Sequence, residues 1–372
     1  MRVTCSPVVV RFGRLGDTVL LQPLLRKLSS RYGQPCRLLS LGSWSSVLFS
    51  AQPEVGALIP MNTQYGPLWM RPGRWRAIVA LGRLRGLPFY IAEPAFRTAT
   101  KLRPMLKLAR IAEENCQFIE DLPMHEEEHW LDWLSRFSAT TPVAFRERFE
   151  CAAAEPCGAP VLRVSQAERI DCDGWLQSRG WAQRPLLLLQ PPNKRTMRWN
   201  GVRAPADDVK SWPPERWAAL ARVMLEAMPQ AQVLFCGSPA EAGYLQRLIS
   251  AVRPSTSAIA AVALPLGRLK ALLGIAHSMI SVDTGPAHLA AAVGCPLVVL
   301  FGGRSPRMWA PRSGLGSAVS VIGGLPQVQR IEQIDVATVV QAWHGLLPRA
   351  ASVVASAPGD KCVERASELH LG

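Results

Sequence analysis

Several features that mark other protein classes are missing from this chain of 372 residues. No apolar run approaches the roughly 18 residues that a membrane-spanning helix needs, and the longest runs, near Leu186–Leu189 and Leu297–Phe301, have the length of a strand. A signal-peptide pattern is also missing, because the short apolar run Val8–Val10 leads directly into Arg11. These absences argue against a membrane-spanning or secreted protein and favour a cytoplasmic one.

Paired metal-ligand motifs are scarce as well. The nine cysteines are scattered and odd in number, and no two of them form a Cys-x-x-Cys pair, so neither a common zinc site nor a disulfide framework is indicated. His125 and His129 would share a face of a helix, but no third ligand follows. We expect this segment to be a solvated helix N-terminus, and we expect no metal site.

Acidic residues are few compared with basic ones. The chain has 28 Asp and Glu against 42 Lys and Arg, a formal net charge of +14, which favours an anionic partner. The stretch Trp69–Arg76 combines tryptophan with arginine and could meet anionic lipid headgroups, or it could be a solvated loop. Further arginines follow at Arg83, Arg85 and Arg103. No recognition motif for nucleic acid accompanies this charge.

The length and the pattern of apolar residues predict two α/β domains. Short apolar strands alternate with helical patterns, which indicates parallel sheets covered by helices on both faces. We place the first domain at residues 1–183 and the second at 184–348, and we expect the polar tail 349–372 to be poorly ordered. Two such domains would form a ligand cleft between the carboxyl ends of their sheets.

The alternation is clearer in the second domain than in the first. In the first domain the pattern predicts strands Val8–Arg11 and Cys36–Leu41, weaker strands Ile78–Leu81 and Phe89–Ile91, and helices Thr18–Arg31, Trp44–Ala51 and Met124–Phe137. In the second domain it predicts strands Leu186–Gln190, Gln232–Cys236, Met279–Val282 and Leu297–Phe301, and helices Pro214–Met228, Ala240–Val252, Gly267–Ala276, Pro286–Val293 and Ile334–Leu346.

The most informative segment follows the predicted strand Met279–Val282. Asp283 or Thr284 can cap the next helix, and Gly285 leaves its backbone N–H open to a ligand. Free N–H groups and the positive end of the helix dipole bind anions, and His288, about one turn into the helix, can reach a diphosphate. The alternative is a plain helix cap followed by a buried histidine.

The nine residues from Asp283 to Ala291 resemble the hallmark of glycosyltransferase family 9, the bacterial heptosyltransferases that build the lipopolysaccharide core. Four other segments resemble the family and occur in its order: Arg11–Asp17, Gln52–Val55, Lys210–Trp217 and Gly237–Glu241. The resemblance implies a GT-B fold, in which two Rossmann-like, doubly wound α/β domains face a central cleft. It implies an inverting, metal-independent enzyme that moves heptose, or a related sugar, from ADP-heptose to a lipopolysaccharide-core or similar glycolipid acceptor. This donor is a substrate and no cofactor is expected, and the acceptor would lie at the inner face of the cytoplasmic membrane.

The resemblance also assigns roles to residues that bind the donor. Four residues would surround its diphosphate: Asp283, Thr284, Gly285 and His288. Lys210 would add a positive charge to the phosphates, Glu241 would accept hydrogen bonds from the ribose hydroxyls, and Leu264 falls where the family's backbone contacts the base.

Asp17 is the candidate general base. Inversion at an anomeric carbon needs an acceptor hydroxyl that loses its proton as it attacks, and a carboxylate opposite the donor is the natural proton acceptor. Asp17 can also cap the helix that begins at Thr18, and the two roles can coexist. Arg14, in the same turn, is a candidate for binding acceptor phosphates, with solvated surface arginine as the alternative.

The sequence departs from the family pattern at Gln190–Asn193, where Gln-Pro-Pro-Asn replaces a His-Pro-Gly turn and a glycine that could approach a phosphate is lost. The insertion that follows, Lys194–Val209, contains Arg195, Arg198 and Arg203, which could supply replacement cations.

Two alternatives to heptosyl transfer therefore stay open. The chain could bind a nucleotide sugar without catalysis, or it could transfer a sugar to another glycan or to a protein. A dinucleotide oxidoreductase is less favoured, because Gly13-Arg14-Leu15-Gly16 is not a Gly-x-Gly-x-x-Gly motif.

Overall fold

The computed structural model describes residues 4–61, 72–149, 156–198, 201–203, 208–252 and 257–346. Within these ranges the chain forms two parallel sheets, each covered by helices, as the alternation of strands and helices predicted. The tail 349–372 and residues 69–71 of the basic stretch lie outside the described residues. No helix in the described ranges has both the length and the apolar character that crossing a bilayer requires.

The first sheet has five parallel strands in the order β3-β2-β1-β4-β5. These are β1 (Val8–Arg11), β2 (Cys36–Leu41), β3 (Val55–Met61), β4 (Phe89–Ile91) and β5 (Cys116–Phe118). The helices of this domain are α1 (Leu15–Val19), α2 (Gln22–Tyr32), α3 (Trp44–Phe49), α4 (Pro72–Gly82), α5 (Ala95–Arg97), a π-helical turn (Thr98–Leu102), α6 (Arg103–Leu108) and α7 (Trp130–Ala139). The strand order reverses between β1 and β4, and a ligand crevice is expected there.

Helix α8 (Gln166–Gln177) leads into a second sheet of six parallel strands, in the order β10-β9-β6-β11-β12-β13. These are β6 (Leu186–Gln190), β9 (Gln232–Gly237), β10 (Ala258–Val262), β11 (Ser278–Val282), β12 (Leu297–Phe301) and β13 (Val319–Gly323), and a small hairpin joins β7 (Met197–Arg198) to β8 (Gly201–Val202). The helices are α9 (Pro214–Ala227), α10 (Ala242–Ser250), α11 (Leu266–Ile275), α12 (Gly285–Ala292), α13 (Pro306–Trp309) and α14 (Val336–His344). This order reverses between β6 and β11.

Three of the predicted elements in the first domain were wrong in type or extent. The helix predicted over Met124–Phe137 begins only at Trp130. Ile78–Leu81 is not a strand but part of α4, where Ile78 and Leu81 face the core three residues apart. A short apolar run cannot by itself distinguish a strand from one face of a helix. The helix predicted over Thr18–Arg31 begins earlier and is interrupted at Leu20 and Leu21, because Pro23 lies in the first turn of a new helix.

The two domains share an apolar interface. One cluster of buried residues includes Leu20 and Leu24 near the start of the chain and Ala287 and Leu289 of α12. A stacked tryptophan pair, Trp130 and Trp309, also crosses the interface, with ring centroids 5.4 Å apart.

Helix α8 lies on the first-domain side of the predicted division at residues 183 and 184, yet it packs against α11 of the second domain. Glu168 of α8 accepts from Lys270 at 2.8 Å, and Asp171 accepts from Arg268 at 2.7 Å. The position of the domain division therefore stays a prediction.

Candidate active site

A cavity of about 630 Å³ lies between the carboxyl ends of the two sheets. The turn between β1 and α1 faces the turn between β11 and α12 across it. The cavity wall contains all nine residues that the sequence indicated: Arg14, Asp17, Lys210, Glu241, Leu264, Asp283, Thr284, Gly285 and His288. Residues from opposite ends of the chain therefore meet in one site.

The carboxylate of Asp17 is fixed by its own turn. Asp17 is the third residue of α1, and its Oδ2 accepts a hydrogen bond from the backbone N–H of Arg14 at 2.9 Å. Its Oδ1 accepts from Nη2 of Arg11 at 3.0 Å. The side chain keeps 29% of its surface exposed. The same carboxylate therefore closes the N-terminus of α1 and forms part of the cavity wall.

The surroundings of Asp17 keep it ionised. Burial alone would raise the pKa of Asp17, but the charge of Arg11 and the hydrogen bond from Arg14 hold it below its ordinary value. Arg11 is itself only 4% exposed. Its Nη1 donates to the Ala92 carbonyl at 2.7 Å, and its guanidinium lies 4.8 Å from the centroid of the Trp130 ring. These contacts fix the direction in which Arg11 holds the carboxylate.

A second ion pair, between Glu93 and Arg97, stabilises this turn. Glu93, fully buried after β4, accepts from the backbone N–H of Phe12 and from Nη1 of Arg97 at 3.3 Å. Arg97 also donates to the Phe12 carbonyl at 3.1 Å. Burial raises the pKa of Glu93, although the charges of Arg11 and Arg97 act against this. The turn after β1 and the segment after β4 are thereby held together.

The turn between β11 and α12 presents the N-terminus of a helix to the cavity. Thr284 is the N-cap residue, and its hydroxyl lies 3.2 Å from Oγ of Ser281; within the described chain it caps no N–H of the helix. Gly285 is the first helical residue, so its N–H has no partner inside the helix. This end of α12 can therefore receive an anion.

His288 lies one turn into α12 and is 7% exposed. Its Nδ1 has no hydrogen-bond partner among the described residues. Burial lowers the pKa of His288, although the carboxylates of Asp283 and Asp17 act in the opposite direction. The ring is therefore neutral at neutral pH and has a nitrogen available for a ligand.

The two turns touch at a pair of glycines. A Cβ on Gly16 would lie 3.2 Å from Cα of Gly285 and 3.1 Å from Cδ2 of His288. A Cβ on Gly285 would lie 3.0 Å from the backbone nitrogen of Gly16. The absence of side chains at both positions therefore allows α1 and α12 to approach each other across the cleft.

Lys210 lines the cavity, but its ammonium group is paired with the carboxylate of Asp283. Its Nζ forms an ion pair with the Asp283 carboxylate and donates to the Asp283 carbonyl at 3.2 Å. The Lys210 backbone N–H donates to Oδ1 of Asp208 at 3.1 Å. Nearby, the fully buried Trp212 donates to the Ile334 carbonyl at 2.8 Å, which fixes this segment to the body of the domain.

Glu241 and Leu264 follow the carboxyl ends of the neighbouring strands β9 and β10. Oε2 of Glu241 accepts from the N–H and from the hydroxyl of Ser238, at 2.7 and 2.8 Å. Ala263, next to Leu264, has a φ of 59°, in the left-handed region that residues other than glycine rarely adopt. Both residues therefore lie where a doubly wound sheet binds its ligand.

Two hydrogen-bond donors of the loop Gln190–Asn193 are used within the loop and the residues that follow it. Its two prolines have no N–H, and the side-chain amide of Gln190 donates to the Pro192 carbonyl at 3.1 Å. The N–H of Asn193 donates to Oγ1 of Thr196 at 2.9 Å. The backbone donors of this loop are therefore absent or already used.

Among the residues of the cavity wall that sequence reasoning did not assign to the site are three cations and a tryptophan: Arg97, Lys194, Arg304 and Trp309. The rule that ligands bind at the carboxyl ends of parallel strands could have indicated Arg304, which follows β12 closely. The insertion does supply a cation, Lys194, but the described wall contains neither Arg195 nor Arg203. The side chain of Arg198 lies outside the described residues.

The expectation for the segment His125–His129 was wrong. Although its residues match the spacing of a His-Glu-x-x-His motif, the segment is a turn before α7 and not a solvated helix. His129 is 4% exposed, its Nδ1 accepts from the N–H of Leu131 at 3.1 Å, and its Nε2 lies 2.9 Å from the carbonyl of Ala310. Burial lowers the pKa of His129 to about 4. Nowhere in the described ranges do three potential ligands stand together as a metal site.

Comparison with known proteins adds a family match to this geometry. The model of glycosyltransferase family 9 (heptosyltransferase) matches residues 165–334. Lipopolysaccharide heptosyltransferase 2 of Escherichia coli (strain K12) is 24% identical over 333 residues, a match that covers 85% of this chain and 88% of the relative.

Solved structures share the architecture. The structure of E. coli ADP-heptose lipopolysaccharide heptosyltransferase II has a TM-score of 0.68 at 21% identity and covers 91% of this chain and 98% of its own. The E. coli heptosyltransferase WaaC with ADP-2-deoxy-2-fluoro heptose has a TM-score of 0.55 at 16% identity, again over 91% and 98%. This likeness confirms the predicted GT-B fold.

Proposed function

The chain belongs to glycosyltransferase family 9, and from that premise we propose that it transfers heptose from ADP-heptose to a lipopolysaccharide-core or similar glycolipid acceptor. The observation that carries the proposal is the meeting of two turns in one cavity. The first domain contributes an ionised carboxylate, Asp17, and the second contributes an open helix N-terminus at Gly285. A proton acceptor opposite an anion site is the arrangement that inverting transfer requires.

In this proposal the donor lies along the second domain. Its diphosphate lies at the N-terminus of α12, near Thr284, Gly285 and His288, where the N–H groups and the helix dipole favour negative charge. Lys210 turns from Asp283 toward the phosphates when the donor binds. The ribose lies beside Glu241 and the base beside Leu264, at the ends of β9 and β10.

The acceptor lies on the side of the first domain. Asp17 takes the proton of the acceptor hydroxyl while the oxygen attacks the anomeric carbon from the face opposite the diphosphate. The bond between that carbon and the phosphate oxygen breaks, ADP leaves and the anomeric configuration inverts. Because the pKa of Asp17 is lowered, Asp17 is a weak base that is ionised at neutral pH. The proton moves late, when bond formation has made the hydroxyl acidic. Arg14, exposed in the same turn, binds an acceptor phosphate.

Transfer is tested by measuring ADP release from ADP-heptose with and without a heptose-acceptor glycolipid, alongside thermal shifts with a panel of nucleotide sugars. We expect ADP-heptose to raise the melting temperature by mass action and acceptor to be required for ADP release. Binding without release would favour a relative that has lost catalysis. ADP release that requires a different glycan or a protein would favour transfer of the sugar to that glycan or protein.

We also propose that the protein acts at the inner face of the cytoplasmic membrane as a peripheral protein. On α4, Trp75 and Val79 are 43% and 55% exposed, and Arg76 lies between them. Arg83 and Arg85, just beyond the helix, are also exposed. Apolar side chains among arginines suit an anionic headgroup region. Arg103 is better explained as structural, because it pairs with Glu113 at 2.6 Å and Glu120 at 3.0 Å.

Sedimentation with vesicles tests this attachment. We expect binding to anionic vesicles at low salt, weakening as salt shortens the Debye length. Trp75→Ser should weaken it, whereas Ile170→Ser, which removes another exposed apolar side chain in α8, should not. Equal binding to neutral vesicles, or binding that survives high salt, would contradict an electrostatic attachment.

A further inference from the structure

Residues Pro191 to Asn193 of the loop after β6 offer a phosphate no free backbone N–H. The two prolines lack N–H groups, and the N–H of Asn193 is already bonded to Thr196. The N–H of Arg195 is also used, because it donates to Oδ1 of Asn193 at 2.8 Å. These features leave the segment few backbone donors, so its main contribution to an anion comes from a side chain.

Lys210 supplies less charge than its position suggests. Its ammonium group is paired with the carboxylate of Asp283, which lies in the same cavity wall, so the two together are close to neutral. A diphosphate in a sugar nucleotide carries two negative charges. The cavity needs further cations to balance them.

Two cations of the second domain meet this need: Lys194 and Arg304. Both line the cavity, both are exposed, and neither has an acidic partner among the described residues. Burial lowers the pKa of Lys194, and so do the positive charges of Arg14, Lys210 and Arg304, which places these groups close to one another. Lys194 and Arg304 are like charges that converge without a counterion of their own among the described residues, which indicates a site for an anion.

The position of Arg304 is fixed by the turn after β12. A Cβ on Gly302 would lie 2.5 Å from the nitrogen of Ile331 and 2.6 Å from the carbonyl oxygen of Val209. Gly303 has a φ of +67°, in the region that favours glycine. The Arg304 carbonyl accepts from Leu325 at 2.9 Å. The hydrogen bond between Ile331 and Val209, 3.0 Å long, connects this turn to the segment that carries Lys210.

We propose that Lys194 and Arg304 bind the diphosphate of the nucleotide-sugar donor, in place of the loop backbone that the two prolines have removed. This inference rests on the proposed function and adds two phosphate-binding residues to it. Arg14, on the facing domain, stays with the acceptor.

Calorimetry with the full chain tests the assignment, with inorganic pyrophosphate, ADP and AMP as probes. The variants are Lys194→Gln, Arg304→Gln and the double variant. Arg222→Gln, an exposed cation on α9, is the control for the loss of one charge, and Arg14→Gln tests the acceptor side. We expect each single variant to lose roughly ten- to a hundredfold in affinity for pyrophosphate and ADP, with a smaller loss for AMP. The Arg222 variant should keep the affinity for pyrophosphate, and the Arg14 variant should lose less of it than the Lys194 and Arg304 variants, because Arg14 lies on the facing domain.

Wild-type affinity for pyrophosphate in Lys194→Gln and Arg304→Gln would overturn the assignment, above all if the KM for acceptor rose instead. Thermal melts show whether each variant is folded, which is expected because both side chains are exposed. The proposed function fails in a different way. In that case the wild type would bind pyrophosphate through these residues but release no ADP from ADP-heptose.

Discussion

The two turns that meet in the cleft share one local fold but differ at the N-terminus of the helix that follows each of them. Each follows the carboxyl end of a central parallel strand and leads into a helix, and each has a glycine at the point of contact, Gly16 or Gly285. In the first turn Asp17 closes the N-terminus of α1 with its own carboxylate. In the second turn the N-terminus of α12 stays open, and the nearby carboxylate of Asp283 pairs with Lys210.

This difference separates two kinds of chemistry. A closed N-terminus has little attraction left for an anion, but it holds a carboxylate at a fixed place on the cleft. An open N-terminus attracts a phosphate but needs cations beside it. The same local fold can therefore supply a base on one domain and a leaving-group site on the other.

The largest effect is expected for Asp17→Asn. Asparagine keeps a side-chain oxygen that can accept from the Arg14 N–H, and the donor groups lie on the second domain, so donor affinity should change little. The loss of the base should lower turnover by about 10²- to 10⁴-fold. Some stability should be lost, because the buried Arg11 loses its charged partner. Asp171→Asn, which breaks an Asp–Arg pair outside the cavity, is the control and should keep normal turnover. Near-normal turnover in Asp17→Asn would reduce Asp17 to a helix cap.

Lys210→Ala should weaken donor binding by about one to two decades, or roughly 1.5–3 kcal/mol. Part of the loss comes from the carboxylate of Asp283, which is left unpaired beside the phosphates. Lys107→Ala, an exposed lysine of α6, controls for the change in net charge. Unchanged donor affinity in calorimetry would mean that donor binding beside α12 does not depend on Lys210.

Gly16→Ala tests the contact between the turns. The new methyl group would approach Gly285 and His288 to 3.2 and 3.1 Å, so the domains should be held slightly apart. Misplacement of this size should lower turnover about tenfold or more, with a smaller loss of ADP affinity because the methyl group also presses on Gly285 and His288. Gly174→Ala in α8 is the control, because an added Cβ there would meet no neighbouring atom within 4 Å. This variant should keep turnover and add up to about 1 kcal/mol of stability. Equal turnover in Gly16→Ala and the wild type would show that the cleft tolerates the displacement.

The smallest effect is expected from pH. The pKa of Asp17 is lowered, so its basic form persists below the ordinary range of an aspartate, and the pKa of His288 is lowered too, so the ring stays neutral. The kcat/KM profile should therefore show no acid limb between pH 8 and about pH 6.5. An acid limb with its midpoint near pH 7 would mean that another group controls the reaction.

Both turns were predictable because each combines a buried strand, a glycine and a capping residue within a few positions of the sequence. The contact between Gly16 and Gly285 was not predictable, since it depends on how two domains meet. Four strands of the two parallel sheets were missed: β3, β5, β10 and β13. All four lie at the edges of the sheets, and β10 is also Ala-rich, so their apolar signal is weak.

The sequence indicated the insertion that begins at Lys194 as a source of cations, but it singled out neither Lys194 nor Arg304. Both are exposed basic residues, which are common on the surface of a chain with a net charge of +14, and only the folded arrangement separates them from the others. His129 was misjudged for a similar reason. The partner that keeps it buried, the carbonyl of Ala310, belongs to the other domain.

The central claim is that the turn before α1, whose helix N-terminus is closed by Asp17, serves catalysis. The turn before α12, whose helix N-terminus is open at Gly285, serves donor binding. A double-mutant cycle of Asp17→Asn and Lys210→Ala, with ADP affinity and turnover at saturating donor both measured, tests it most directly. We predict that the double variant has the turnover of Asp17→Asn and the ADP affinity of Lys210→Ala, with a coupling energy no larger than about 0.5 kcal/mol. A double variant whose turnover or ADP affinity departs strongly from this combination would contradict the separation of roles.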